Sequence, residues 1–329
     1  MDIELSGPLQ GRKKQLWQAF LEKAGLQADE GLERTCLVWE DEMIIATGSR
    51  QGNLLKCIAV DDLHQGEGLT GTLLTQLRQD AFQSGHNHLF LYTKPKNKFM
   101  FSSLFFYPIA QTKDVLLMEN KRNGILEFLD SLPDGVPGGT VGAAVMNCNP
   151  FTKGHRYLIE TAAKECDQLY IFVLSEDKSF FSANDRMEMV KLGTADLPNV
   201  TVLPTGPYLI SSATFPTYFL KEREKAESIH CLLDIEIFCN YYVPKFGIKR
   251  RYVGTEPLSQ MTGQYNDALR EHLPSRGIEF REIPRLELDQ TPVSASAVRA
   301  YLQKGALDNL EAIVPPTTFT YLKEHDLLK

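Results

Sequence analysis

The chain has 329 residues, 43% of them hydrophobic and 23% charged, and a formal net charge of −7. This composition is typical of a globular protein long enough for two domains, and its acidic balance gives no overall basic field that would favour nucleic acid. No run of eighteen apolar residues predicts a membrane span, and the first residues lack the layout of a signal peptide. Six cysteines without CxxC spacing indicate reduced thiols in a cytoplasmic protein.

The first part of the chain carries strand patterns around one clear helix. Apolar residues at 69, 73, 74, 77 and 81 follow the helical period, and Gly85 lies just beyond them. The join at 121–139 carries a short helix pattern and then a Pro/Gly cluster, which indicates a linker. We therefore expect an α+β domain at 1–120 and a second domain at 140–329. Apolar runs predict five strands in the first domain, at 35–42, 43–52, 54–60, 88–93 and 115–120.

The second part of the chain alternates strand and helix patterns. Helix patterns such as 155–166 and 182–196 lie between its strands. This βαβα order predicts an open, doubly wound α/β domain with a parallel sheet, in which ligands bind beyond the carboxyl ends of the strands. Continuous apolar runs, suited to a sheet buried on both faces, predict four strands, at 140–147, 168–175, 199–206 and 249–255.

The turn after the first of these strands reads Thr-Lys-Gly-His, from Thr152 to His155. A helix begins here, and the free N–H groups and partial positive charge of its N-terminus attract anions. Gly154 allows a close backbone approach, while Thr152 and His155 place a hydroxyl and an imidazole beside the anion. A capping threonine and a packed histidine are the alternative, which is the commoner one for an isolated tetrapeptide.

A second helix start of similar chemistry lies in the stretch QTPVSASAVRAYLQKG. Ser294 and Ser296 lie at this start, and Arg299 follows in the first turn. Two hydroxyls, free N–H groups and a guanidinium are suited to bind a pyrophosphate group. Taken alone, the stretch favours a serine N-cap followed by a solvated arginine.

Together the two motifs resemble the (H/T)xGH and ISSTxxR-type signatures of the nucleotidyltransferase superfamily. The second motif departs from the pattern in its alanines at 295 and 297. The resemblance implies that Thr152 and His155 stabilise charge developing at the α-phosphate of ATP, and that the residues of the second motif hold the β- and γ-phosphates. The residues implied in ATP binding are Asn149, Gly154, Ser294, Ser296 and Arg299.

The stretch LSEDKSFFSANDRMEMV follows the second strand of the parallel sheet. It resembles the place where adenylyltransferases of this superfamily carry a lysine and an arginine that contact the anionic group of the acceptor. Lys178 and Arg186 match these places. Either residue is also compatible with a surface charge, and Arg186 with an ion pair within its own helix.

Several segments narrow the resemblance to the [citrate (pro-3S)-lyase] ligase family: NCNPFTKGHRYLIETAA, SSATFPTYFLKE, RRYVGTEPLSQMTGQYND, IEFREIPRLELDQTPVSASAVR and VPPTTFTYLKEH. This resemblance implies activation of acetate by ATP, with Mg²⁺ neutralising the triphosphate. The acetyl group then passes to the thiol of a CoA-like prosthetic group on the acyl-carrier subunit of citrate lyase. The sequence identifies no metal ligands, because Asp289 and Glu256 are better interpreted as core or surface residues.

The family also carries an acetyltransferase-like domain ahead of the transferase domain, and VDDLHQGEGLTGTLLTQL resembles the acyl-CoA-binding turn of the GNAT acetyltransferases. Gln65, Gly66, Gly68 and Gly71 are implied in binding a CoA-like arm, although Thr70 stands where the GNAT pattern has Gly or Ala. A retained scaffold without a ligand is the alternative. Two other functions stay open: an adenylyltransferase acting on a phosphorylated metabolite, and an N-acetyltransferase whose second domain only binds nucleotide.

Overall fold

The structure, a computed structural model, describes residues 1–177, 179–209, 215–220, 226–256, 260–288 and 291–328. Two compact units make up the chain: Met1–Gly124 with Phe215–Leu233, and Ile125–Thr214 with Asp234–Lys329. The domain limits that we expect from the sequence, at 120 and 140, stay a prediction. Among the described residues, no helix combines the length and apolar character that crossing a membrane requires.

The first unit is built on one seven-stranded sheet. Its elements are strand β1 (Asp2–Ser6), helix α1 (Gly11–Lys23), β2 (Arg34–Glu40), β3 (Met43–Gln51), β4 (Leu54–Val60), α2 (Leu69–Gln83), β5 (Phe90–Thr93), α3 (Lys98–Ser103), β6 (Tyr107–Gln111) and β7 (Leu116–Glu119). The strand order is β1-β2-β3-β4-β5-β7-β6, and only β4 and β5 pair in parallel. The expected α+β fold of this part is therefore confirmed.

Helix α2 packs on this sheet through the apolar stripe that its sequence period predicts. Leu69, Leu73, Leu74, Leu77 and Ala81 are all buried, in one cluster with apolar residues of the strands. Each apolar residue removed from water in this way stabilises the fold, by about 1.5–3 kcal/mol for a leucine side chain. This packing holds the N-terminus of α2 at the end of the sheet where β4 and β5 part.

The remaining elements lie mostly in the second unit. They are α4 (Gly124–Asp130), β8 (Val141–Met146), α5 (Lys153–Lys164), β9 (Gln168–Val173), α6 (Ala183–Thr194), β10 (Val200–Pro204), α7 (Ala226–Ile237), a π-helix (Phe238–Tyr242), α8 (Val243–Phe246), β11 (Arg250–Gly254), α9 (Gln260–His272), β12 (Glu279–Ile283), β13 (Glu287–Leu288), β14 (Thr291–Pro292), α10 (Ala295–Lys304), α11 (Leu307–Ile313) and α12 (Pro316–Glu324).

Five of these strands form a parallel sheet of order β10-β9-β8-β11-β12. Helices α5, α6, α10, α11 and α12 contribute to the apolar core on one face, and α7 and α9 to the core on the other. This arrangement confirms the predicted doubly wound α/β domain. Because the strand order reverses between β8 and β11, the topological switch point lies between these two strands.

Candidate functional site

A cavity of about 590 Å³ opens at the carboxyl edge of the parallel sheet, at the switch point. Strands β8 and β11 pair only through Arg250 with Gly142 and Arg251 with Ala143. Beyond these residues the two strands part, and the crevice between them is where doubly wound sheets bind ligands. The cavity has the size of a pocket for a small organic ligand.

The N-terminus of α5 forms one wall of this cavity through Thr152 and His155. Thr152 Oγ1 accepts a hydrogen bond from the backbone N–H of His155 (3.3 Å), and His155 Nδ1 accepts one from the backbone N–H of Thr152 (3.0 Å). The two residues thus cap the helix reciprocally. Because Nδ1 is the acceptor, the proton of the neutral imidazole resides on Nε2, which takes no part in the cap.

The protonation state of His155 follows from its surroundings. Burial, together with the nearby cation of Arg285, lowers the pKa of His155 to about 4. The imidazole is therefore neutral at pH 7, with Nε2–H as a hydrogen-bond donor. A neutral donor of this kind can stabilise charge that develops on a phosphate oxygen.

The N-terminus of α10 forms a second wall of the same cavity through Ser294 and Ser296. Ser294 caps the helix, since its Oγ accepts a hydrogen bond from the backbone N–H of Ala297 (3.1 Å). Ser296 is exposed at the cavity, and its Oγ accepts a hydrogen bond from Arg299 Nη2 (3.0 Å). Arg299 Nη1 also donates to the backbone carbonyl of Asn149 (2.5 Å), which ties the two helix starts together.

The two helix N-termini come close to each other at Gly154. A Cβ at this position would lie 3.3 Å from the backbone oxygen of Val293, the residue before the cap of α10. That distance is tighter than most Cβ contacts, so the absence of a side chain allows the close approach. Two sets of unpaired N–H groups therefore face one cavity, an arrangement that attracts a polyanion.

The other residues predicted in the ATP site lie beside the cavity wall. Asn149 is 9% exposed, and its Oδ1 accepts a hydrogen bond from the backbone N–H of Phe181 (3.0 Å). Arg299 is half-buried between Asn149 and Ser296. The structure thus brings all the residues of the two motifs together, while the contacts of each residue with ATP stay a prediction.

Of the two residues predicted to contact the acceptor, Lys178 lies outside the described residues. Arg186 is fully buried. Its guanidinium donates to both oxygens of Asn147 (2.8 and 3.0 Å), to the carbonyl of Leu174 (2.8 Å), and to the carbonyls of Phe181 and Glu176. Through these bonds Arg186 holds the loops after β8 and β9, and its contact with the acceptor stays a prediction.

The cavity is also lined by polar residues that the sequence interpretation did not single out, among them Asn147, Arg251 and Arg285. Asn147 directly follows β8 and Arg285 closely follows β12, so the rule that ligands bind beyond the carboxyl ends of parallel strands could have identified both. Arg251 is a charged residue within a strand buried on both faces, which is itself a signal of function. Arg285 Nη1 forms an ion pair with Glu256 (2.8 Å).

The described residues contain no group of three or more His, Cys, Asp or Glu side chains that could hold a metal ion. Glu256 is paired with Arg285, and Asp289 lies outside the described residues.

The first unit has a cavity of its own, of about 670 Å³. Strands β4 and β5 pair only at Leu54–Phe90 and Leu55–Leu91, and the cavity lies where they part. Its walls include the four predicted arm-binding residues, Gln65, Gly66, Gly68 and Gly71.

The turn that leads into α2 depends on glycine. Gly66 and Gly68 have φ values of 91° and 78°, in the left-handed region that glycine adopts without strain. Gly68 is the N-cap of α2, so the unpaired N–H groups of that helix start at the cavity. Gln65 Nε2 donates to Asp62 Oδ1 (2.7 Å). These residues share one cavity, and their binding of a CoA-like arm stays a prediction.

An open parallel sheet with two helix N-termini at its switch point defines the second unit as a doubly wound domain of the nucleotidyltransferase type. Comparison with known proteins identifies the family. A model of the citrate lyase ligase C-terminal domain matches residues 141–322. The chain is 41% identical over 311 residues to the [citrate [pro-3S]-lyase] ligase of Klebsiella pneumoniae. The aligned region covers 93% of this chain and 91% of that protein. The chain belongs to the citrate lyase ligase family.

Two solved structures are more distantly similar. An acyl-CoA N-acyltransferase from Pseudomonas aeruginosa is 11% identical, with a TM-score of 0.32, over 37% of this chain and all of that protein. Thermotoga maritima TmcAL bound with alpha-thio ATP is 14% identical, with a TM-score of 0.34, over 56% of this chain and 55% of that protein. The family membership rests on the family model and the relative from Klebsiella, and it confirms the predicted ligase over the two alternative functions.

Proposed function

We propose that this protein activates acetate with ATP and transfers the acetyl group to a thiol on citrate lyase. The thiol belongs to a CoA-like prosthetic group of the acyl-carrier subunit. The observation that carries the proposal is the meeting of two helix N-termini at one cavity, in a chain of the citrate lyase ligase family. A ligase that forms an acyl-adenylate needs such a site to hold a triphosphate with its α-phosphorus accessible.

In the first half-reaction, a carboxylate oxygen of acetate attacks the α-phosphorus of ATP. The bond from this phosphorus to the bridging oxygen of the β-phosphate breaks, so that acetyl-adenylate forms and pyrophosphate leaves. His155 Nε2–H donates to an α-phosphate oxygen as its charge grows. The N-termini of α5 and α10, with Ser294, Ser296 and Arg299, hold the β- and γ-phosphates and stabilise the leaving pyrophosphate.

In the second half-reaction, the thiol of the prosthetic group attacks the acetyl carbonyl carbon. The bond between this carbon and the phosphate oxygen breaks, AMP leaves, and the thiol gives up its proton. The products of the two half-reactions together are a thioester on citrate lyase, AMP and pyrophosphate. The cavity of the first unit, with the N-terminus of α2 in its wall, binds the pyrophosphate-containing arm of the prosthetic group.

A reducing compartment fits this chemistry, and we place the protein in the cytoplasm. All six cysteines are free, and five of them are buried. Burial raises the pKa of Cys36 to about 11 and that of Cys57 to about 12. These two thiols are therefore poor nucleophiles.

Isotope exchange between pyrophosphate and ATP tests the first half-reaction. We expect exchange that requires acetate, because acetyl-adenylate formation is reversible. The second half-reaction is tested by the mass of the acyl-carrier subunit, which should gain one acetyl group. Exchange that requires a phosphorylated cosubstrate instead of acetate would overturn the proposal.

A further inference from the structure

Arg251 is a buried cation that forms no direct ion pair among the described residues. It lies within β11, is 2% exposed, and makes no ion pair with any described residue. Its guanidinium carbon lies 4.7 Å from the ring centroid of Phe238, a cation–π contact. Two of its three side-chain nitrogens, Nε and Nη1, are buried and have no hydrogen-bond partner in the described part of the chain. Buried donors of this kind cost free energy unless a ligand or a water satisfies them.

A tyrosine and an aspartate, Tyr265 and Asp234, lie near Arg251. Burial raises the pKa of Tyr265 well above its ordinary range, Asp234 raises it further, and Arg251 acts in the opposite direction. The Tyr265 hydroxyl donates a hydrogen bond to Asp234 Oδ2. Tyr265 also forms a side-chain hydrogen bond with Arg251, and its phenol stays neutral, so this contact leaves Nε and Nη1 of Arg251 without a partner among the described residues.

Arg251 lies at the base of the same crevice that the two helix N-termini face. It occupies the last position at which β11 pairs with β8, and both strands part beyond it. The cavity wall next to it includes Val145 and Val253, which are apolar, and Asn266, whose Nδ2 donates to the carbonyl of Gly254 (2.9 Å). A guanidinium beside small apolar side chains is suited to a short aliphatic acid.

We propose that Arg251 binds the carboxylate of the acid that the enzyme activates, a short-chain monocarboxylate. This inference rests on the proposed function. The planar guanidinium presents donors that match a carboxylate, and the bound carboxylate satisfies nitrogens that are otherwise orphaned. One guanidinium with apolar neighbours at the base of the crevice suits an acid with one carboxylate and a small alkyl group. Arg251 therefore fixes the nucleophile, while α5 and α10 fix the triphosphate.

The test is acetate-dependent exchange of pyrophosphate into ATP by the full-length Arg251→Gln variant. We expect the KM for acetate to rise by about 10²-fold, as for the loss of charge-assisted hydrogen bonds, with the KM for ATP unchanged within about 3-fold. Arg250→Gln is the matched control. Arg250 is the neighbour on the same strand, and its guanidinium is already satisfied by Glu279 and the carbonyl of Glu165, so both KM values should stay those of the unaltered protein.

A second measurement separates binding from a purely structural role. Guanidinium ions added to an Arg251→Ala variant should lower its KM for acetate again, which lost packing alone would not permit. If the Gln and Ala variants fail to fold, an NMR measurement on the unaltered protein replaces them. The Nε–H resonance of Arg251 is assigned by its loss in Arg251→Lys, and we expect it to shift when acetate is titrated.

Three results would overturn the inference. They are an unchanged KM for acetate in Arg251→Gln, a KM increase for ATP instead of acetate, and an Nε–H resonance that does not respond to acetate. Failure of the proposed function is distinguishable from all three, because the unaltered protein would then show no acetate-dependent exchange.

Discussion

His155 uses its two ring nitrogens for different tasks. Nδ1 accepts a hydrogen bond from the backbone of Thr152 and so completes the cap of α5, while Nε2 is left with the proton. The fold therefore fixes the tautomer that a charge-stabilising donor needs. A capping threonine and a catalytic histidine, alternatives at the level of sequence, are compatible in the structure.

Replacement of His155 by Asn separates these tasks. An asparagine oxygen can still accept from the Thr152 N–H, but nothing replaces the Nε2 donor. We expect pyrophosphate–ATP exchange to fall by about 10²-fold or more, with little change in the free energy of unfolding. His155→Ala should lose the exchange to the same extent and also about 1 kcal/mol of stability, because the cap is broken. Unchanged exchange in His155→Asn would refute the role of Nε2.

The pKa of His155 predicts the effect of pH. Its value of about 4 in the folded protein lies below the ordinary value of about 6.5, so the unfolded chain takes up the proton first. The free energy of unfolding should therefore fall as the pH drops from about 6.5 towards 4, and less steeply in His155→Asn. The His155 ring signals in an NMR titration should stay constant between pH 8 and 6, and a midpoint near 6.5 would contradict this account.

For single residues, the sequence was sufficient to predict the two motifs but not the other polar residues of the same cavity. Thr152, His155 and Ser294 were recognisable because helix starts have a short-range signature. Arg285 was missed because it follows β12, whose residues EFREI include three charged residues in no regular alternation and were not assigned to a strand. Lys178, predicted from the resemblance, lies outside the described residues and stays a prediction.

Among the elements, α5 and α10 carry the site through their first turns. Their N-terminal N–H groups lie at one cavity because the sheet places the ends of β8 and the loop before α10 side by side. The strand patterns that predict the parallel sheet are strong, since both faces of these strands are buried. By contrast, β1 was not predicted, because its five residues are mostly exposed and show no apolar run.

The serines of α10 give a matched pair of variants. Ser294 caps the helix, so Ser294→Ala should lower the free energy of unfolding by about 1 kcal/mol. Ser296 is exposed and its hydroxyl accepts a hydrogen bond from Arg299, so Ser296→Ala should change stability by less than about 0.5 kcal/mol. Both variants should raise the KM for ATP in the exchange assay.

Urea denaturation and the exchange assay together decide this prediction. An unchanged KM for ATP in Ser296→Ala would remove its hydroxyl from the phosphate site. Equal losses of stability in both variants would contradict the assignment of Ser294 as the cap.

On the scale of the whole molecule, both units have a cavity where two parallel strands part in front of a helix N-terminus. In the proposed function, the second unit forms the adenylate and the first unit recognises the CoA-like arm. The resemblance to a known family predicted this division of labour. Composition and periodicity alone reached only the two fold classes, because they carry no information on which ligand fills a cavity.

A charge at the start of α2 tests this division. Thr70 lies in the first turn of α2 and in the cavity wall. Thr70→Glu should leave the helix intact, because an acidic residue in the first turn is favourable, but should repel an anionic arm. We expect acetylation of the acyl-carrier subunit to slow by at least about 10-fold, with acetate-dependent exchange unchanged. Replacing Gln65 by Ala should act in the same direction.

Thr75→Glu is the control for Thr70→Glu. Thr75 is exposed one turn further along α2, so its variant carries the same added charge at a distance from the helix N-terminus. Acetylation should stay close to that of the unaltered protein. If Thr70→Glu lowered exchange and acetylation equally, the assignment of separate tasks to the two units would be wrong.

A crystal structure of the protein with a non-hydrolysable ATP analogue tests most directly whether the N-termini of α5 and α10 hold one triphosphate. We expect density for the β- and γ-phosphates within hydrogen-bond distance of the backbone N–H groups at the starts of both helices, with an α-phosphate oxygen at His155 Nε2. Triphosphate bound at only one of these helix starts, or in the cavity of the first unit, would contradict this expectation.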